Sequence, residues 1–213
     1  MTDAILFIMN FIGIAAFSVS GALIAISSHL DLFGVLFIGC ITSFGGGIVR
    51  DICLGSFPPR IFFNAEEVLL SISVSLAVFI ISYINAKHFK SLSEKIDRIN
   101  NWFDAVGLAV FSITGTEIAF DMGYDGSFLL SVVMGMITGV GGGIIRDVLT
   151  LKEPYVLHKR IYAMASISGC VLYFILESCF DAKLISSFIS MSLIIAIRLL
   201  ATKFRWKLPK IKI

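Results

Sequence analysis

One pattern, Gly-Gly-Gly-x-x-Arg-Asp, occurs twice in the chain. Gly45, Gly46 and Gly47 precede Arg50 and Asp51, and Gly141, Gly142 and Gly143 precede Arg146 and Asp147. Each copy lies late in a long apolar run. Three successive glycines are poor helix formers and favour a break. Inside a bilayer a broken helix leaves backbone groups to be satisfied by protein, water or an ion. Carbonyls exposed at such a break can replace an ion's hydration shell. The competing reading is close helix packing at the glycines. A triplet at two matched positions favours the break.

The charges that follow each triplet have two readings. They line or gate a path, or they form a structural pair, for example Arg50 with Asp147. Hydroxyls inside the apolar runs add a further layer: Ser18, Ser20, Thr42, Ser43, Ser112, Thr114 and Thr138. A hydroxyl can ligate an ion, although bonding a nearby carbonyl is its commoner role. The candidate pore or ion-binding groups are therefore the six glycines with Thr42, Ser43, Thr138, Ser18, Ser112 and Thr114. The candidate gating or charge network is Arg50, Asp51, Arg146 and Asp147. Glu117 lies toward one end of an apolar run, where it is read as sitting at the mouth of a path or pairing with a lysine, with interfacial placement the first expectation.

Other chemistry has little support. No nucleophile–base arrangement, nucleotide fingerprint or metal-ligand spacing is present, so neither an enzyme nor a cofactor or metal centre is expected. Cys40, Cys53, Cys170 and Cys179 form no CxxC pair and read as small apolar packing residues. The net charge of +2 does not suggest nucleic acid as a partner.

These residues must be positioned by membrane-spanning helices. Only 15% of the chain is charged, against roughly 25% in a soluble domain. A run of about 20 apolar residues can cross a bilayer. Seven such spans are predicted: 4–27, 32–49, 68–86, 102–120, 128–145, 161–176 and 184–204. Arg198, inside the last, is expected to snorkel toward the near interface. Met1, Thr2 and Asp3 supply no basic leader, so the first run is read as a helix, not as a cleaved signal. With seven spans, Arg50, Arg60 and Lys183 fall on one side of the membrane. Thirteen lysines and arginines, from Lys87 to Lys212, fall on the other. The positive-inside rule then places the N-terminus outside and the C-terminus in the cytoplasm.

The chain also contains two copies of itself. Gly13, Phe17, Ser18 and Gly21 recur 94 residues later as Gly107, Phe111, Ser112 and Gly115, with Asn10 matched by Asp104 and Ser20 by Thr114. Gly39, Ile41 and Thr42 recur 96 residues later as Gly135, Ile137 and Thr138, followed by the second glycine-arginine-aspartate motif. Three spans per copy is an odd number, so the second copy enters the membrane from the opposite side. The predicted fold is all-α and integral to the membrane: two inverted three-helix repeats plus a seventh helix. Its segments are a first repeat over 1–86, a charged linker over 87–101, a second repeat over 102–177, and a seventh helix with a basic tail over 178–213. Inverted repeats are characteristic of transport proteins, with the site where the repeats meet.

Two GGGxxRD motifs in a seven-span chain of this size resemble the prokaryotic branch of the trimeric intracellular cation (TRIC) channel family, also grouped as a domain family named for glycine transport. The resemblance covers essentially the whole chain. It implies a homotrimer with a pore in each protomer, running between the repeats and shaped by kinks in the second and fifth helices at Gly45 to Gly47 and Gly141 to Gly143. It implies monovalent cations, chiefly potassium, as the permeating species, and a prokaryotic inner membrane with its lipids as the setting. Leu151-Lys152-Glu153-Pro154 matches only in part the lysine-glutamate-valine motif of animal members. A passive cation channel is the first expectation. A carrier for glycine or another small amino acid is the alternative, its broken-helix ends meeting the carboxylate and ammonium groups. A structural protein without transport is a third.

Overall fold

In the computed structural model the described residues are 2–85, 93–154, 156, 161–204 and 206. Among them seven helices are long and apolar enough to cross a membrane. We number them α1 (Thr2–Ser27), α2 (Leu32–Cys53), α3 (Ala65–Ile84), α4 (Ser93–Ala119), α5 (Phe128–Leu149), α6 (Ala163–Phe180) and α7 (Lys183–Lys203). A short 3₁₀ turn, Arg60–Phe63, precedes α3, and a π-type turn, Phe120–Tyr124, ends α4 with Gly123 at φ 85°.

The solvent for which this fold is built shows in what it buries. The buried residues of α3 are Ser71, Ser75 and Ser82, while Leu69, Ile80 and Ile81 of the same helix face outward. Likewise the first half of α7 buries Ser186, Ser187 and Ser190 and exposes Ile185, Phe188 and Ile189. In water that arrangement would be inside out. In lipid it is favourable, because small polar residues let helices approach and bond while the apolar face meets the acyl chains.

The repeats pack about a pseudo-two-fold axis. Within each copy the three helices touch one another, and between copies α1 meets α4 and α2 meets α5. The contacts across the axis are reciprocal. A Cβ on Gly13 would press on Val110 and touch the ring of Phe111, and one on Gly107 would overlap the ring of Phe17. The two rings lie 5.2 Å apart. The partners of α1 run backwards along α4, from Gly13 with Val110 to Ser20 with Asp104, so the helices are antiparallel. That is the inversion which an odd number of spans requires. Helix α7, outside the repeat, packs on α4 and α6.

Two expectations are corrected. The glycine triplets do not break their helices: α2 and α5 continue through them to Cys53 and Leu149, carrying Arg50-Asp51 and Arg146-Asp147 as helical residues. The reason is that the glycines are used between helices. A Cβ on Gly46 would overlap the carbonyl oxygen of Thr138, and one on Gly142 would overlap that of Thr42. The helical bonds are kept, and the missing side chains let two backbones touch. Arg198 does not snorkel either. It is fully buried and turns inward to α4. The expected charged linker spans residues outside the described set, 87–92, and the first turns of α4. Lys87, Lys90, Lys159, Arg160, Arg205, Lys207, Lys210 and Lys212, which weighed in the charge count, also lie outside it.

Candidate functional site: a cavity between the repeats

The two glycine-arginine-aspartate motifs sit at opposite ends of the α2–α5 crossing. Around the first is a cavity of about 310 Å³. Its walls come from both repeats: Asn10 of α1, Ser43, Gly47, Arg50 and Asp51 of α2, Glu67 of α3, Thr114 and Glu117 of α4, and Thr138 of α5. It reaches the surface at Arg60 and Asp121, whose side chains are 43% and 60% exposed. Its inner end is at Thr138, beside the helix crossing.

Local chemistry holds these walls in place. Arg50 Nε and Nη2 both donate to Asp51 Oδ1, at 2.9 and 2.7 Å. Asp51 Oδ2 accepts the backbone N–H of Arg60 at 2.9 Å, which ties the 3₁₀ turn to the end of α2. Asn10 Nδ2 donates to Glu67 Oε1 at 3.0 Å. Glu117 is paired with Lys183 Nζ at 2.8 Å, as one of the readings of that residue expects. The mouth therefore carries the carboxylates Glu67, Glu117 and Asp121 around a tightly held Arg50–Asp51 pair.

The second motif has no such space. The crevice lined by Gly143, Ile144, Arg146, Asp147 and Tyr162 is too narrow for water. Arg146 is fully buried and makes three bonds: Nε to Asp147 Oδ1 at 2.8 Å, and Nη1 to Ser20 Oγ at 2.8 Å and Asp104 Oδ1 at 3.0 Å. Arg198 of α7 approaches the other oxygen of Asp104 at 3.4 Å, bonds Asn101 Oδ1 at 3.2 Å, and lies 4.4 Å from the centroid of the Tyr162 ring. Among the described residues Arg198 Nε and Nη1 have no hydrogen-bond partner. Burying charge in this way is costly, and mutual pairing offsets much of the cost.

The asymmetry follows from substitutions between the repeats. Asn10 of the first copy is Asp104 in the second. Where the first copy places Glu67 on its third helix, the second places Tyr162, just before α6. The carboxylate thus moves from α3 to α4, where it joins Arg146 and closes that end.

The other candidates have less direct positions. Ser18 bonds Ser43 at 2.9 Å and Ser71 at 2.8 Å, and Ser112 bonds Ser166 at 2.7 Å. Ser18 and Ser112 join helices and are not among the residues that line the cavity. Thr42 and Thr138 each donate to the carbonyl four residues back, Ile38 and Met134, at 2.6 Å. Gly45, Gly46, Gly141 and Gly142 form the α2–α5 contact, while Gly47 lines the cavity and Gly143 the narrow crevice. Sequence reasoning did not single out Asn10, Glu67, Tyr162, Asn101 or Lys183 for the site. Asp104 had a signal, as an acid inside an apolar span; Glu67 and Tyr162 had none, because their repeat mates differ in chemistry.

Seven spanning helices in two inverted repeats, with a cavity between them that carries charged and hydroxyl groups, define a multi-pass membrane protein of the inverted-repeat class. A family model described as a glycine transporter matches residues 7–83 and 101–178, one segment in each repeat. The inner membrane protein YadS of Escherichia coli (strain K12), assigned to UPF0126, is 35% identical over 94% of this chain and 93% of its own length. The UPF0126 membrane protein YvgT of Bacillus subtilis (strain 168) is 33% identical over 95% and 94%. Among solved structures, a prokaryotic TRIC channel in 0.5 M KCl superposes with TM-score 0.85 at 36% identity, covering 96% of this chain and 99% of that one. The TRIC trimeric intracellular cation channel orthologue from Rhodobacter sphaeroides gives 0.84 at 27%, covering 95% and 99%. The chain belongs to the TRIC/UPF0126 family.

Proposed function

We propose that the protein is a cation channel of a bacterial inner membrane, chiefly passing potassium, with its path running between the two repeats of each protomer. The observation that carries this reading is the cavity itself. It is walled by both repeats, it sets charged and hydroxyl groups among apolar walls such as Phe44 and Phe111, and it leads from carboxylates near the surface to Thr138 at the helix crossing. Rings of acidic side chains favour cations at a pore mouth. The neighbouring structures named above are described as cation channels, which supports the same reading.

On the positive-inside count, the open mouth would face the periplasm and the Arg146–Asp104 cluster the cytoplasm. In that frame the conformation described is closed at its inner end. The path would continue past Thr42, Ser43, Thr114 and Thr138, with the glycine contact of α2 and α5 as its narrowest part. Arg146 would act as the gate, because its bonds to Ser20, Asp104 and Asp147 fill the crevice through which an ion would leave. Ser18 and Ser112 hold the walls and need not touch the ion. A homotrimer is proposed on the likeness to trimeric channels.

The test is flux through purified protein in liposomes, with a potassium gradient and labelled glycine compared on one preparation. Potassium current without glycine uptake is expected. Saturable glycine uptake without current would overturn the channel and make the same cavity a substrate site.

A further inference from the structure

The seventh helix lies outside the repeat, yet it reaches the cavity mouth. The connection from α6 is only Asp181 and Ala182, so Lys183, the first residue of α7, is held at the end of α4. Its Nζ lies 2.8 Å from Glu117 Oε1 and 3.2 Å from Asp121 Oδ1. Both acids line the cavity, and Lys183 does not. It stands one layer behind the wall, with its side chain 31% exposed. The lining charges themselves are two cations, Arg50 and Arg60, and four anions, Asp51, Glu67, Glu117 and Asp121. Asp51 is committed to Arg50. With that pair cancelled, Arg60 stands against Glu67, Glu117 and Asp121, so the excess negative charge facing the path depends on how far Lys183 neutralises Glu117 and Asp121.

Resting on the cation-path reading above, we infer that Lys183 sets the cation-attracting charge of the mouth from behind its wall. It is a specificity-determining residue that never touches the ion. Glu117 is almost buried, with its side chain 8% exposed, so its nearest counter-charge has a strong effect on it. The field of the pair nonetheless acts in an open, wet mouth, where salt screens it. That difference separates an electrostatic role from a structural one.

The experiment is current through the full-length protein in planar bilayers, at about 0.01 M and about 1 M KCl, where the screening lengths are roughly 30 and 3 Å. Lys183→Gln is expected to raise the low-salt current about two-fold, the size expected for one unit charge about 10 Å from a passing ion in water. The rise should be larger for cations entering at the Lys183 end and should vanish at high salt. Lys183→Arg should retain the wild-type current. Glu117→Gln should lower the low-salt current, and the double neutral variant K183Q/E117Q should restore it. Because the double variant carries the same net charge as the wild type, it reads the electrostatics even where K183Q alone assembles poorly. An unchanged low-salt current in K183Q, or a change equal at both salts and in both directions, overturns the assignment of Lys183 alone. A wild-type protein without current overturns the cation path and this assignment together.

Discussion

Arg146 and Asp104 are 42 residues apart in sequence and bonded at 3.0 Å across the repeat's second half. In the proposed path this pair is the closure at the inner end. Asp104 also faces Arg198, so one buried carboxylate serves two buried arginines. Asp104→Asn keeps the shape and removes the charge both need. Breaking a buried pair from one side costs about 3–5 kcal/mol. D104N is expected to lower thermal stability in detergent by that order and to raise basal potassium flux. A stable variant with unchanged flux would remove the cluster from the gate.

The two arginines should not be equivalent. Arg146 is bonded to three partners, whereas Arg198 Nε and Nη1 have no hydrogen-bond partner among the described residues. An unsatisfied buried donor already carries its desolvation cost. Arg198→Met is therefore expected to change stability by less than about 1 kcal/mol, and Arg146→Met to cost about 3–5 kcal/mol. Thermal unfolding of both variants in one detergent measures the contrast; equal losses would contradict it.

The glycines of each triplet should likewise separate. A methyl group on Gly46 or Gly142 meets backbone oxygen of the opposing helix, which cannot move aside. At Gly47 the nearest atom is Arg50 Nη2, 3.6 Å away at the end of a flexible side chain. G46A and G142A are expected to destabilise by about 1–3 kcal/mol through overpacking. G47A should be neutral or slightly stabilising, since alanine is the better helix former by about 1 kcal/mol. Size-exclusion profiles after graded heating would rank the three.

Serine pairs staple each repeat in the same way. Ser18 donates to Ser71 at 2.8 Å, and the matching Ser112 and Ser166 lie 2.7 Å apart. Interhelical bonds of this kind contribute about 0.6–1.7 kcal/mol in a membrane. S71A and S166A should each cost that much. A double-mutant cycle of S18A with S71A would give the coupling directly; a coupling near zero would assign these serines to packing alone.

Glu67 offers the cleanest test of the mouth. Its Oε1 accepts from Asn10, a bond that Glu67→Gln can keep through its amide oxygen. E67Q is expected to lower potassium current about two-fold at low salt and to weaken cation-over-chloride preference in reversal-potential measurements. An unchanged reversal potential would show that the mouth does not select.

Composition and pattern alone determined the seven spans, the repeat and its inversion. Hydropathy reports directly on the solvent of each run, and an odd number of spans inverts whatever follows it. The motif residues were also visible, because triplet glycines and paired charges are rare inside apolar runs. Only the tertiary structure decided what those residues do to one another. The glycine triplets looked like breaks because backbone strain is counted along one chain. They serve contact because Thr42 and Thr138 bring a second backbone against them. Arg198 looked interfacial because an arginine in a span normally seeks water, and it turned inward because Asp104 and Asn101 stand beside it. The open and closed ends differ through Asn10 against Asp104 and Glu67 against Tyr162. These substitutions acquire meaning only when the helices that carry them are placed around the same arginine.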